Sequence, residues 1–159
     1  MNIVKNTIKR AREEELVYKK GDLAFSIFDL DLDRSKEKQL EQARELSLAK
    51  KISLVTSNPC FEIWYLEHFG FTTKPFQNNA ELINELKRFL PNYAKNRVDF
   101  DVLYPLTEQA IANCKKLLEY HNGGGPEEAP SFANPRTDVY RIVEIILRGG
   151  DKQSEFKTE

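Results

Sequence analysis

The sequence predicts an α/β fold in which a small parallel sheet precedes a helical C-terminal half. Two short apolar runs of β-favouring residues, at 23–28 and 52–56, flank a segment at 35–51 whose apolar residues recur at helical spacing. A strand, a helix and a strand with short connections form a βαβ unit, which is parallel and right-handed. Helical patterns predominate after residue 57, so the sheet is expected in the first part of the chain.

The composition is that of one compact domain with its own hydrophobic core. The chain has 159 residues, of which 40% are hydrophobic and 31% charged, and its formal net charge is -1. This balance excludes steering toward nucleic acid by the charge of the whole chain, although a local basic patch stays open. The two cysteines form no disulfide framework and fit a reducing cytosol, so a cytoplasmic protein is expected. No apolar run approaches the ~18 residues of a membrane span, so no membrane contact is expected.

The first half of the chain is expected to begin with an amphipathic helix at 2–18, because its apolar side chains recur at helical spacing. The strand at 23–28 is continuous in apolar character, which is typical of a strand buried on both faces. In the helix at 35–51, Leu40, Ala43 and Leu46 lie on one stripe and face the core.

The second half of the chain is expected to be mainly helical. Asn58 is a candidate N-cap with Pro59 at the first helical position, where its missing N–H costs nothing. Two further helices are expected at 78–90 and 106–121.

A segment rich in glycine, proline and glutamate, at about 122–134, is expected to be a mobile loop. The final helix follows it in the sequence DVYRIVEIILR, with Asn134 or Thr137 as its N-cap.

Two parallel strands make a poor sheet, because parallel sheets usually have several strands and are covered on both faces. One alternative is that further strands come from 71–76 and 98–103. Another is that a second copy of the chain completes the structure, and we expect a homo-oligomer. The third is that the sequence starts partway into a larger fold.

Three aspartates follow the first predicted strand at every second position, in the motif FDLDLD. Side chains alternate across a strand, so Asp29 and Asp31 share a face if the extended geometry continues. Carboxylates about 6–7 Å apart at the carboxyl end of a parallel strand lie where α/β folds place their sites. A hard cation relieves their repulsion, which predicts a Mg²⁺ or Mn²⁺ site.

A capping role is the alternative for these acids. Asp33 precedes a predicted helix, and an aspartate near a helix start satisfies free N–H groups and interacts favourably with the helix dipole. An EF-hand calcium loop is excluded, because its sixth position is Arg34 instead of glycine and its twelfth is Leu40 instead of glutamate.

The segment after the second strand, SNPCFEIWYLEHF, contains a candidate phosphate-binding turn. Ser57, Asn58 and the Cys60 amide are expected at the same edge of the sheet as the aspartates, with Glu62 one turn inside the next helix. A helix N-terminus offers free N–H groups and a positive dipole end to a phosphate. The alternative is that the turn only begins a helix whose aromatic side chains pack in the core.

Basic residues alternate with aromatic ones in PNYAKNRVDF, which is typical of nucleic-acid contacts. Lys95 and Arg97 are therefore candidates for contacts to a phosphate backbone, and a solvated helix end is the alternative. A cysteine nucleophile is disfavoured, because Cys60 and His68 lie roughly 12 Å apart along one predicted helix.

These motifs together resemble the RloB-like family. The resemblance rests on FSIFDLDLD, SNPCFEIWYLEHF, YAK and NPRTDVYRIVE, and it covers the chain from about residue 2 to 148. That family is similar to Toprim-domain proteins and is found with bacterial restriction–modification and abortive-infection systems. The resemblance implies a Toprim-like βαβ core at 1–57 and a helical part at 58–148, within a single domain at 1–159.

The resemblance also implies a function. Toprim domains of this kind hold Mg²⁺ through an Asp-x-Asp motif, which corresponds to Asp29 and Asp31, with Asp33 as a further ligand. The resemblance therefore implies a Mg²⁺-dependent nuclease acting on DNA or RNA, with catalytic roles for Asp29 and Asp31. The glutamate that assists these aspartates in the family follows a strand that is expected before the helix at 2–18, where this sequence begins. The alternative is a non-catalytic binding or assembly subunit that contacts other defence proteins.

Overall fold

The computed structural model describes residues 2–17, 21–95, 97–123 and 130–149. Their architecture is mixed α/β and agrees with the predicted Toprim-like core. In chain order the elements are α1 (Asn2–Glu13), β1 (Phe25–Asp29), α2 (Glu37–Lys50), β2 (Ser53–Asn58), α3 (Glu62–Leu66), α4 (Asn79–Leu86), α5 (Phe100–Leu103), α6 (Thr107–His121), β3 (Arg136–Thr137) and α7 (Val139–Leu147). Short 3-10 turns at Arg34–Lys36 and Tyr104–Leu106 precede α2 and α6. None of the helices described is long and apolar enough to cross a membrane.

The sheet has three strands in the order β1-β2-β3. The strands β1 and β2 are parallel, with Phe25 beside Ser53 and Asp29 beside Ser57, which confirms the predicted βαβ unit. The third strand is antiparallel to β2 and pairs Thr137 with Ser57. The sheet is therefore mixed, and β2 is its central strand.

The third strand comes from the part of the chain that was predicted to be helical. It has only two residues, too few for an alternating pattern to be recognised in the sequence. The segments 71–76 and 98–103, considered as extra strands, form no strand, and the second of them contains α5. Of the predicted mobile loop, residues 124–129 lie outside the described residues.

Polar side chains connect β2 to the segment around β3. The Asp138 carboxylate accepts hydrogen bonds from the Thr56 hydroxyl at 2.9 Å and from the Thr56 backbone N–H at 3.4 Å. The hydroxyls of Ser57 and Thr137 lie 2.8 Å apart, and Arg136 forms a buried ion pair with Asp138 at 3.1 Å. Since all of these groups are buried, each needs such a partner to offset its lost hydration.

Asn58 is the last residue of β2, and its side chain forms hydrogen bonds with two loops. Its side-chain oxygen accepts a hydrogen bond from the Leu32 N–H at 3.0 Å. Its amide nitrogen donates to the carbonyls of Phe132 and Ala133 at 3.1 and 3.0 Å. The prediction that Asn58 is an N-cap is therefore wrong, because the strand continues through it and the next helix begins only at Glu62.

Two hydrophobic clusters form the core of the helical part, and α3 contributes to both. The first cluster consists of Cys60, Ile63, Leu66, Phe76, Leu82, Leu86, Leu90, Tyr93 and Leu103. The second consists of Val55, Trp64, Ala110, Ile111, Cys114, Val139 and Tyr140, and it covers one face of β2. Burying an aliphatic or aromatic side chain of this size stabilises the fold by about 1.5–3 kcal/mol. This packing fixes α3, and with it Glu62, against the sheet.

The helix ends agree in part with the sequence. The predicted helix at 78–90 begins one residue later, because the Asn78 side chain caps it by accepting from the Glu81 N–H. At α7, the Thr137 hydroxyl accepts a hydrogen bond from the Val139 N–H at 3.3 Å. Asn134 does not cap this helix, since its side chain bonds the backbone of Phe76 instead.

Glu67 is fully buried beside α6. Neither oxygen of its carboxyl group has a hydrogen-bond partner among the described residues. Burial raises the pKa of this group to about 8, and the nearby Thr72 backbone N–H offsets only part of the effect. The folded protein therefore keeps a proton on Glu67 at neutral pH.

We expect Glu67 to make the protein less stable as the pH rises. Its pKa is higher in the folded chain than in the unfolded chain, so its favourable contribution is complete below pH 4.5 and is lost as the pH rises through 8. Between pH 6 and 8 the loss should be on the order of 2 kcal/mol, measured by urea unfolding. The variant Glu67→Gln should lack this component, whereas Glu119→Gln, at an exposed position of α6, should follow the original protein.

We expect Asn58→Ala to lower the free energy of unfolding by about 2–4 kcal/mol, because it leaves three partly buried backbone groups without their partner. Asn92→Ala, at an exposed position, should change it by less than about 0.5 kcal/mol. Equal effects of the two substitutions in urea unfolding would show that Asn58 is not a structural tie.

Candidate functional site at the acidic end of the sheet

Asp29 is the last residue of β1 and lies at the carboxyl end of the parallel pair. Its half-buried carboxylate accepts a hydrogen bond from the Phe61 backbone N–H. Burial, followed by the negative charges of Asp31 and Glu62, raises the pKa of Asp29 to about 6. Three carboxylates are therefore close enough at this end of the sheet to disfavour one another's ionisation.

Asp31 does not continue the extended strand. Both Asp31 and Leu32 have left-handed backbone conformations, with φ of 54° and 57°, so the predicted alternation of faces ends at Asp29. The Asp31 carboxylate accepts hydrogen bonds from Lys36 Nζ at 2.6 Å and Asn79 Nδ2 at 3.0 Å. Its partial burial alone would raise its pKa, but these two hydrogen bonds prevail and lower it.

Asp33 is exposed and caps the 3-10 turn that precedes α2. Its carboxylate accepts hydrogen bonds from the Ser35 hydroxyl at 2.6 Å and the Ser35 N–H at 3.0 Å. These bonds lower the pKa of Asp33. The capping alternative thus describes what Asp33 does in this structure.

The predicted phosphate-binding turn lies in the interior. The side chains of Ser57, Asn58 and Cys60 are all buried, and the first two bond neighbouring segments of the chain. The Cys60 thiol donates a hydrogen bond to Glu62, and burial raises its pKa. The helix that follows begins at Glu62 and has only five residues, so the predicted helix N-terminus next to Asn58 is not there.

Glu62 is buried and held in place by two donors. The Tyr93 hydroxyl donates a hydrogen bond to its carboxylate at 2.7 Å, and the Cys60 thiol donates another. Burial alone would raise the pKa of Glu62, but these hydrogen bonds lower it, so the group is ionised at neutral pH. The sequence singled out Glu62 but gave no sign of its partner Tyr93, which lies 31 positions later.

Lys95 and Arg97 lie in a tight turn after Tyr93, closed by a bridge between Ala94 and Arg97. Both side chains are exposed. The positive charge of Lys95 lowers the pKa values of Asp29, Asp31 and Glu62, which places it beside the acidic group. The structure thus brings Lys95 together with the three acids, and no contact between Arg97 and these acids is seen among the described residues.

The donor set partly fits a Mg²⁺ ion. Carboxylate oxygens are suitable ligands, and Mg²⁺ in proteins often takes one or two carboxylates together with water and substrate phosphates. Asp29 and Asp31 could supply such a pair. Within the residues that the structure describes, no group of three or more His, Cys, Asp or Glu side chains is arranged to hold a metal ion. Lys36 moreover already engages Asp31.

We expect Tyr93→Phe to lower the free energy of unfolding by about 1–3 kcal/mol at pH 7, because it removes a hydrogen bond to a buried carboxylate. The pKa of Glu62 should rise at the same time, which NMR titration of the carboxyl carbon can follow. Tyr104→Phe removes a hydroxyl from an exposed ring and serves as the control. A Glu62 pKa that does not change in Tyr93→Phe would contradict this assignment.

Comparison with known proteins gives one finding. The family model described as RloB-like protein matches residues 1–146. No curated protein and no solved structure shows a significant match. Because the family model spans far more than half of the chain and confirms the resemblance in its motifs, the chain belongs to the RloB-like family, which is associated with defence systems.

Proposed function

We propose that this chain is a metal-dependent nuclease of a defence system, in which Asp29 and Asp31 hold a Mg²⁺ or Mn²⁺ ion. The observation that supports the proposal is the meeting of Asp29, Asp31 and Glu62 at the carboxyl end of the parallel strands. Negative charges crowded in this way favour a divalent cation. The carboxyl ends of the strands are also where open α/β sheets bind their ligands.

The residues of the chain would act in distinct ways. Asp29, fixed by the strand and by the Phe61 N–H, is the rigid ligand. Asp31, in the loop after the strand, is the second ligand, and its N–H donates to the Pro59 carbonyl. Exposed Lys95 is suited to hold a phosphate of the nucleic-acid backbone beside the acids. A bound ion would neutralise charge that develops on the phosphate oxygens and orient the attacking water.

The second candidate is a non-catalytic binding or assembly subunit. It is favoured by the Lys36–Asp31 ion pair, which already neutralises one of the two proposed ligands. It is also favoured by the lack of a third metal-ligating side chain among the described residues. The partners would then be a second copy of the chain or other proteins of the same defence system.

A calorimetric titration with MgCl₂ and MnCl₂ tests the nuclease proposal. The unmodified chain should bind either ion saturably, and Asp29→Asn and Asp31→Asn should each weaken binding at least about tenfold by removing a charged ligand. Asp101→Asn makes the same charge change at an exposed position of α5 and should leave binding unaltered. Absence of saturable binding would eliminate the metal-dependent mechanism.

Incubation with end-labelled single-stranded and double-stranded DNA and RNA then separates the two candidates. The nuclease proposal requires cleavage that depends on the added ion and disappears in Asp29→Asn. Metal binding without cleavage of any of these substrates would support the non-catalytic subunit instead.

A further inference from the structure

The turn that contains Lys36 directs its side chain toward the acidic site, which is the group formed by Asp29, Asp31 and Glu62. Lys36 is the last residue of the 3-10 turn Arg34–Lys36, and its backbone N–H donates to the Asp33 carbonyl at 3.0 Å. The same turn is capped by the Asp33 carboxylate through Ser35. The Nζ atom of Lys36 lies 2.6 Å from Asp31 Oδ2. Local backbone geometry therefore presents the ammonium group to Asp31.

Each oxygen of the Asp31 carboxylate accepts one hydrogen bond when this ion pair is formed. Lys36 takes Oδ2, and the Asn79 side chain donates to Oδ1 at 3.0 Å. The Asp31 backbone is fixed as well, because its N–H donates to the Pro59 carbonyl at 2.9 Å. A metal ion that uses Asp31 therefore competes with these two donors for the carboxylate, since the fixed loop keeps the carboxylate beside both of them.

Of the two donors, Lys36 rather than Asn79 is the one that opposes the ion. A divalent cation and an ammonium group repel each other, whereas the neutral Asn79 amide can remain on the second oxygen. Lys95 adds a second positive charge beside Asp29, Asp31 and Glu62, so the chain's own lysines offset part of the negative charge of the three carboxylates.

We infer that Lys36 is an internal counter-ion of the acidic site, which competes with the divalent cation for Asp31 and thereby sets the metal affinity. The inference rests on the proposed metal site but adds a residue that regulates it. An ion pair with both side chains partly exposed is worth up to about 1 kcal/mol, which corresponds to about fivefold in affinity.

The experiment is a calorimetric titration of the full chain with MnCl₂ and with MgCl₂. Lys36→Gln should bind each ion about two- to fivefold more tightly than the unmodified chain. Lys36→Arg keeps the positive charge beside Asp31 and should restore the original affinity or a lower one. Lys38→Gln makes the same charge change at an exposed position of α2 and should change the affinity less than Lys36→Gln does.

The possible results are distinguishable. Tighter binding in Lys36→Gln alone supports the inference, including the case in which only this variant binds measurably. Binding that is equal in Lys36→Gln and Lys38→Gln overturns the counter-ion role and leaves the metal site itself intact. Absence of binding in all variants overturns both the inference and the proposed metal-dependent function. Thermal unfolding of each variant checks that the substitution preserves the fold.

Discussion

The arrangement of the acidic site depends on one buried side chain, that of Asn58. It stands at the end of the central strand and bonds one backbone group in the loop after β1 and two in the segment before β3. The amide group suits this position because it can donate and accept at once, which neither a carboxylate nor an aliphatic side chain can do. The loop that carries Asp31 is therefore held by β2 as well as by its own strand.

Charge compensation is the second constraint at this end of the sheet. The three carboxylates are stabilised in different ways: Asp29 by a backbone N–H, Asp31 by Lys36 and Asn79, and Glu62 by Tyr93 and Cys60. Such partners stabilise the ionised forms but also occupy oxygens that a ligand would need. Ionised carboxylates attract a metal ion, whereas their hydrogen-bond donors compete with it for the oxygens. The nuclease candidate requires that the attraction prevails, and the assembly candidate requires that the donors prevail.

The features that the sequence predicted are those determined by local pattern. Short apolar runs of β-favouring residues identified β1 and β2, and the position of the aspartates followed directly from the end of β1. The position of β3 could not be predicted, because a two-residue strand has no periodicity and pairs through contacts more than 70 positions away. The role of Asn58 was mistaken for the same reason: Asn-Pro typically starts a helix, and its actual partners lie in distant loops. Tyr93 and Lys36 have no distinguishing local signal for their contacts with the acids.

The antiparallel edge of the central strand has a consequence for the growing polypeptide. Thr56 and Asp138 bond each other although 82 positions separate them, and Arg136 and Thr137 pair with the same strand. During translation, β2 thus leaves the ribosome long before its last neighbour exists, with one row of backbone groups unpaired. A chain that terminates prematurely before residue 136 would keep this edge permanently open, and such edges recruit strands from other molecules. Synthesis of the chain through Asp138 is therefore what pairs the carboxyl end of β2 on this side.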